Sequence, residues 1–355
     1  MSLNIQRKRN INSVLLFISV TSATSVIFCI IIQGFLLKPI INHFLFGLVF
    51  GLIISILEIY FLEKRFRRLK FSASVILRSL LYIFVFMLIL FIILKINLGF
   101  EHNEEFQEKV KKFGTLTNFL ESKAFFTMLS VGVLMIFTIN FIRQINRLMG
   151  QNVLINYITG KYQLPLEEEL IFMFLDLKSS TAIAERIGLE KNHAFLNDFF
   201  YDMTDSILES KGRIYQYVGD EIVITWRMKD GISNHNCISC FFKIKKRITD
   251  KKDLYLKKYN VYPEFKAGIH CGKVITGEIG DIKKDIVYHG DTVNTSSRIQ
   301  YECNGFGKPF LISETLLKKM DLKDEYKTES MGKIKLRGKS EELELYSVEE
   351  LKYKD

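Results

Sequence analysis

The sequence predicts a chain of two structural classes: an α-helical four-span transmembrane bundle over residues 1–147 and an α/β (α+β) domain over residues 169–355, joined by a helical coupling linker at residues 148–168. Three observations lead there. Residues 14–37, 41–62, 72–94 and 124–142 are apolar stretches long enough to cross a bilayer as helices. Basic residues crowd the connections on one side of these stretches. Beyond residue 169, apolar runs of strand length stop at acidic turns, as in a sheet that carries carboxylates along one edge.

The first span follows Arg7, Lys8 and Arg9, and it is too long, and too closely followed by another, for a cleaved signal peptide. A tight Lys38-Pro39-Ile40 turn leads into the second. Lys64, Arg65, Arg67, Arg68 and Lys70 fill the next connection, and Arg143 and Arg147 follow the fourth span. The sizeable loop between Asn97 and Lys123 instead carries Glu101, Glu104, Glu105 and Glu108. By the positive-inside rule the basic connections are cytoplasmic, and an even number of spans returns the chain to its starting side. The expectation is an integral protein of the plasma membrane with its N-terminus and its second half in the cytoplasm. Glu58 and Arg78 lie at matching depths in consecutive spans, where they either pair or snorkel separately to the interface. The formal charge of +10 is concentrated beside the membrane, so anionic lipid accounts for it and no nucleic-acid partner is expected. The spans either anchor the chain or sense an unidentified membrane-borne or small-molecule signal. Cys237-x-x-Cys240 has no second pair at zinc-site spacing and reads as reduced thiols on a helix.

The fourth span can run on as helix past Arg147 until Gly160 and Pro165 break it. The run Leu170 to Leu175 is apolar at every position, which fits a strand buried on both faces and ending at Asp176. Thr181 to Ile187 reads as a helix, and the turn Lys178-Ser179-Ser180-Thr181 leaves free N–H groups at its start, where a polyphosphate can dock. Arg213 to Val218 and Ile222 to Trp226 flank Gly219 as a hairpin with Asp220 at its tip. Either aspartate alone is more often a turn or cap residue. Together they could hold two divalent metals at one sheet edge, which suits an in-line displacement at phosphorus.

A third segment, Ala267-Gly268-Ile269-His270-Cys271-Gly272-Lys273-Val274, runs to Gly277-Glu278-Ile279-Gly280 and is followed by Gly290-Asp291-Thr292-Val293-Asn294-Thr295-Ser296-Ser297-Arg298. With the three motifs in this order, the chain from about Leu170 to Val348 resembles the catalytic domain of the class III nucleotidyl cyclases, the adenylyl and guanylyl cyclases. The resemblance implies a sheet flanked by helices, a head-to-tail homodimer with active sites at its interface, and two divalent metal ions, Mg2+ or Mn2+, as cofactors. It matches Asp176 and Asp220 to the metal-binding aspartates, with the Leu177 backbone carbonyl as a further ligand. Asn294 matches the asparagine that orients the ribose and Arg298 the arginine that stabilises charge on the transferring phosphorus, both reaching in from the other protomer. Ser179, Ser180 and Thr181 would line the phosphates. Arg337, in Leu336-Arg337-Gly338-Lys339, stands where the family holds the triphosphate with a lysine, and Lys339 is the weaker candidate.

Gln216 and Val287 occupy the base-reading positions, where adenylyl cyclases carry a lysine with an aspartate or threonine and guanylyl cyclases a glutamate with a cysteine. Gln216 can donate and accept hydrogen bonds, while Val287 offers only shape. The implied function is a membrane-bound adenylate cyclase that converts ATP to 3′,5′-cyclic AMP and pyrophosphate for intracellular signalling. Some use of GTP is expected, because a pocket that strands no buried polar group on the wrong base discriminates weakly. The alternatives are a guanylate or mixed-specificity cyclase and a catalytically silent membrane receptor or scaffold. A diguanylate cyclase, suggested by Gly219-Asp220-Glu221, would need a glycine where Val218 stands. His289 is read as a packing residue.

Overall fold

The first reversal of the chain is made by a glycine. Helix α1 (Ser2–Gln33) ends at Gly34, whose φ of +74° suits a residue without a Cβ, and helix α2 (Leu37–Leu57) begins three residues later. Lys38-Pro39-Ile40, expected to form the turn, instead lies in the first turn of α2, where proline's missing N–H has no helical partner to lose. The computed structural model describes residues 2–62, 65–66, 69–100, 123–150, 153–322, 325–337 and 341–351. They fall into two compact units, Met1–Leu148 and Met149–Asp355.

In the first unit α2 continues through one π-helical turn, Glu58–Leu62, and is followed by α3 (Phe71–Phe100) and α4 (Lys123–Met149). Among the described residues, two segments are long and apolar enough to cross a membrane: Leu37–Leu62, mean hydropathy 2.4, and Phe71–Ile89, mean hydropathy 2.1. Phe17–Ile31 is a shorter apolar stretch. The unit exposes Ile31, Phe35, Leu37 and Phe84 on its outside while burying Ser22, Ser55, Glu58 and Asn140, the reverse of the usual soluble pattern. Helices α1 and α2 touch through their backbones. A Cβ on Gly47 would stand 2.5 Å from the Ser22 Cα, and one on Gly51 2.8 Å from the Ile18 Cα. This closeness lets Thr21 Oγ1 donate to the Gly47 carbonyl at 2.7 Å.

Glu58 is the centre of a polar node. Arg78 and Tyr82 of α3 donate to its two carboxylate oxygens, and Arg143 Nη2 of α4 lies 3.3 Å from Oε1. Arg78 Nε and Gln144 Nε2 both donate to Ser74 Oγ, at 3.2 and 2.8 Å. Of the two sequence readings, the structure shows the ion pair, and adds Arg143 and Tyr82 to it.

The second unit is built on one eight-stranded sheet. After a short helix α5 (Val153–Ile158) and Gly160, φ +64°, come β1 (Leu166–Leu177), α6 (Ser180–Ile187), α7 (Leu189–Glu209), β2 (Arg213–Val218) and β3 (Glu221–Arg227). Then follow α8 (Met228–Ile232), α9 (Asn236–Asp250), α10 (Lys252–Tyr259), β4 (Phe265–Ile279), β5 (Asp285–His289) and α11 (Asp291–Phe306). The unit closes with β6 (Phe310–Ser313), α12 (Glu314–Leu317), β7 (Tyr326–Ile334) and β8 (Leu343–Glu350). The strand order is β2-β3-β1-β4-β6-β8-β7, with β5 paired to β4, and among the described residues only the β4–β6 pairing is parallel.

The unbroken apolar run of β1 is explained by burial on both faces. Ile171, Met173, Leu175 and Leu177 enter the main core with Phe195, Phe199 and Met203 of α7 and Ile238 and Phe241 of α9. Leu170, Phe172 and Phe174 point the other way, against Val223, Val274, Tyr215, Tyr288 and Val293. The connector ahead of β1 is fastened to β4 and the turn after it. Glu168 accepts from Lys161 Nζ, Tyr162 Oη and Thr276 Oγ1, each at 3.0 Å, while the Tyr162 carbonyl accepts from Glu278 N–H and Tyr157 Oη donates to the Lys284 carbonyl. All five cysteines are buried and unpaired, and burial pushes the Cys240 thiol up to about 12 and that of Cys237 further, so neither is a thiolate at neutral pH.

Replacing Glu58 alone by Gln leaves two guanidinium groups around a neutral amide, a loss on the order of 3 kcal/mol. Thermal unfolding of the detergent-solubilised protein should therefore show Glu58→Gln to be more damaging than the Glu58→Gln/Arg78→Gln pair, whereas strictly additive losses would refute the node.

Candidate active site

Strand alternation decides where the acidic residues point. Asp176 follows Phe172 and Phe174 on the second face of β1, and the antiparallel register sets it opposite Glu221 of β3 and Lys266 of β4. Glu221 begins β3 directly after the turn Gly219-Asp220, in which Gly219 has φ +62°. Three carboxylates, Asp176, Asp220 and Glu221, are thus gathered at one end of the sheet. Facing them are the ammonium of Lys266, 3.3 Å from Asp176 Oδ2, and the amide of Gln300, whose Nε2 donates to the same oxygen at 3.0 Å.

The cluster is over-supplied with negative charge. Burial and then the neighbouring Asp220 carboxylate raise Asp176 above its ordinary pKa, with Lys266 acting against them. Burial, Asp176 and Asp220 push Glu221 up to about 7. Such a set favours a cation. Among the described residues no three His, Cys, Asp or Glu side chains converge to hold a metal by themselves. The donors expected from the sequence are instead two aspartates and the backbone carbonyl of Leu177, whose side chain is buried in the main core. That fits Mg2+ or Mn2+, hard ions that accept one or two carboxylates and complete their shells with water and substrate phosphate.

Behind Leu177 the chain turns sharply into α6. Ser179 adopts φ +57° and its hydroxyl makes no capping bond, so the first N–H groups of α6, at Ser180 and Thr181, are not capped by it. Gln216 is exposed on β2 beside a bulge, opposite Val223, and Val287 is half-buried on β5, opposite Gly277. Their neighbours Tyr215 and Tyr288 meet edge to face at 4.8 Å, and Tyr288 also packs on Phe172 at 5.3 Å, so β2 and β5 approach each other over β1. His289, read as a packing residue, is exposed, because it ends β5 opposite the likewise exposed Ile275.

Asn294 and Arg298 occupy the outer face of α11, exposed and half-buried, while Thr292, Thr295, Ser296, Ile299, Gln300 and Cys303 are buried. No hydrogen bond or ion pair among the described residues links Asn294, Arg298 or Gln216 to the carboxylates. Arg337 is exposed just after Leu336, which is packed against Ile299 and Cys303 of α11, and Lys339 lies outside the described residues. Sequence reasoning gave no role to Glu221, Lys266 or Gln300. Lys266 had a signal, a charge on the alternating face of an otherwise apolar strand; Gln300 had none beyond its distance of two residues from Arg298.

The family described as adenylate and guanylate cyclase catalytic domain matches residues 163–350, more than half of the chain, and the chain belongs to that family. It is 34% identical over 208 residues to adenylate cyclase 2 of Rhizobium meliloti, a match covering 59% of this chain and 57% of that protein. It is 27% identical over 186 residues to an adenylate cyclase of Anabaena cylindrica, covering 50% of this chain and 36% of the relative. The chain therefore spans little more than half of the first relative's length and about a third of the second's. A solved structure of a bacterial light-regulated adenylyl cyclase shares the fold, with a TM-score of 0.55 at 17% identity over 66% of this chain and 69% of that one.

Because Glu221 titrates higher in the folded chain than in the unfolded one, the metal-free protein binds more protons when folded, and its stability should fall as pH rises from about 4.5 through about 7. Melting curves should show that decline, a larger stabilisation by Mn2+ at pH 7.5 than at pH 5.5, and a flatter pH profile in Glu221→Gln; a profile unchanged by that substitution would assign the titration elsewhere.

Proposed function

We propose that the chain is a membrane-bound, homodimeric adenylate cyclase that converts ATP to 3′,5′-cyclic AMP and pyrophosphate. The observation that carries this is the surplus of carboxylate charge around Asp176 and Asp220 at the end of a sheet of the cyclase family. In the reaction, the ribose 3′-oxygen bonds to the α-phosphorus, the bond from that phosphorus to the bridging oxygen breaks, pyrophosphate leaves, and the 3′-hydroxyl proton passes to water. Two divalent ions bound by Asp176, Asp220 and the Leu177 carbonyl would activate the 3′-oxygen and neutralise the departing phosphates.

The rest falls to the chain's own groups. The uncapped N–H groups at Ser180 and Thr181 and the Arg337 guanidinium hold phosphate oxygens. Arg298 places fixed positive charge where negative charge grows on the phosphorus, and Asn294 fixes the ribose. Since α11 turns both outward, they serve the site of a second copy, which is the reason for a head-to-tail homodimer. Gln216 reads the base edge and Val287 only bounds it, which supports ATP as the preferred substrate with GTP also used. The apolar exterior of α1 to α4 supports a four-span anchor, and the basic residues flanking the spans support a cytoplasmic catalytic unit.

Purified full-length protein supplied with ATP or GTP and Mn2+ or Mg2+ should form cyclic AMP faster than cyclic GTP and form neither in Asp220→Ala. Arg298→Ala should lower kcat by about 100- to 1000-fold with a small effect on KM. A clear preference for GTP would reassign the base pocket, and product from Asp220→Ala would remove the metal reading.

A further inference from the structure

Helix α11 has two working faces. On the sheet side, Gln300, 5% exposed, donates from Nε2 to Asp176 Oδ2 at 3.0 Å. One turn further, Asn304 Oδ1 accepts from Lys266 Nζ at 3.1 Å, and that ammonium is the one lying 3.3 Å from the same aspartate oxygen. Two carboxamides four residues apart thus hold both members of a carboxylate–ammonium pair. The helix can come this close because of Gly268, where a Cβ would stand 2.1 Å from the Gln300 nitrogen and 2.6 Å from its Cα. On the other side are Asn294 and Arg298. At 3.6 residues per turn, Gln300 lies about 200° around the helix from Arg298, so neither side chain can do the other's work.

We propose that Gln300 is a positioning residue for the metal site: it holds Asp176 through Oδ2 so that Oδ1 faces the cation. Resting on the homodimer reading above, one helix then carries both the residue that holds a metal ligand of its own protomer and the Arg298 that serves the partner's site. Chemistry distinguishes Gln300 from Lys266. The ammonium is repelled by an arriving divalent ion and must yield its share of the carboxylate, whereas the neutral amide keeps its hydrogen bond through binding. Hydrogen bonds of this outer kind fix the orientation of a ligand, and losing one lowers metal affinity by about 10- to 100-fold.

Gln300→Met keeps the side chain's length and approximate volume and removes the amide, and with it the donor to Asp176. In a titration of the full-length protein with Mn2+ alone, followed by the EPR signal of the free ion, the variant should bind Mn2+ about 10- to 100-fold more weakly at an unchanged metal-free unfolding temperature. Its turnover should recover at saturating Mn2+, a change in metal requirement with kcat retained. Gln300→Asn, which keeps the amide one methylene short, should also bind weakly and covers the case in which Gln300→Met fails to fold. Wild-type affinity in a folded variant overturns the proposal, as does wild-type protein that binds no Mn2+.

Mixed dimers of differently tagged chains test the two-faced role at low Mn2+. A Gln300→Met chain paired with an Arg298→Ala chain puts both lesions in one site and leaves the other whole, so about half of wild-type turnover should remain. A wild-type chain paired with the doubly substituted chain damages both sites and should be nearly inactive. Equal activity of the two mixtures refutes the shared helix. If wild-type protein forms no cyclic nucleotide, the cyclase reading fails, and the Mn2+ titration still decides the role of Gln300.

Discussion

Burial of β1 on both faces is the constraint from which the site follows. A strand covered on one side by α7 and α9 and on the other by aromatic side chains and α11 cannot slip by one residue without sending four core side chains to the wrong face. Its register against β3 and β4 is therefore fixed, and with it the row Glu221, Asp176, Lys266 across three strands. The apolar run does more than fill the core. It aims the carboxylate that ends it.

The same economy appears in α11. One glycine in β4 permits a close helix approach, and that approach delivers two carboxamides to the charged row while the outer face stays available. In the helical unit, glycine plays a comparable part, with Gly47 and Gly51 bringing α2 onto the backbone of α1. The other helices are held by the hydrogen bonds and charge around Glu58 together with an apolar cluster in which Phe86 of α3 packs edge to face on Phe46 and Phe50 of α2.

Much of this was legible in the chain. The two-faced strand, the hairpin with Asp220 at its tip and the helix carrying Asn294 and Arg298 are each written in local pattern: an unbroken apolar run, a glycine between two strands, polar residues four apart. What was not legible depends on distant partners. Nothing near Gln300 shows that it meets Asp176, 124 residues away, and nothing near Glu58 shows that Arg143 joins Arg78 there. The turn after α1 was misplaced because Pro39 is a strong breaker inside a helix and a harmless residue in its first turn, and only the end of α1 at Gly34 tells the two apart. His289 was misread because the burial of a strand's last residue depends on what lies across from it, here the exposed Ile275.

The fastening of the connector carries a mechanical consequence. Tyr162 is bonded to Glu278 near the end of β4, and Tyr157 to Lys284 in the turn just before the strand that holds Val287. Residues 157 to 162 are thus in series with the β4–β5 hairpin rather than hanging free of it. A displacement of this stretch is therefore coupled through two tyrosines to the β4–β5 hairpin that carries Val287, and the Tyr215–Tyr288 contact links that hairpin to the strand of Gln216.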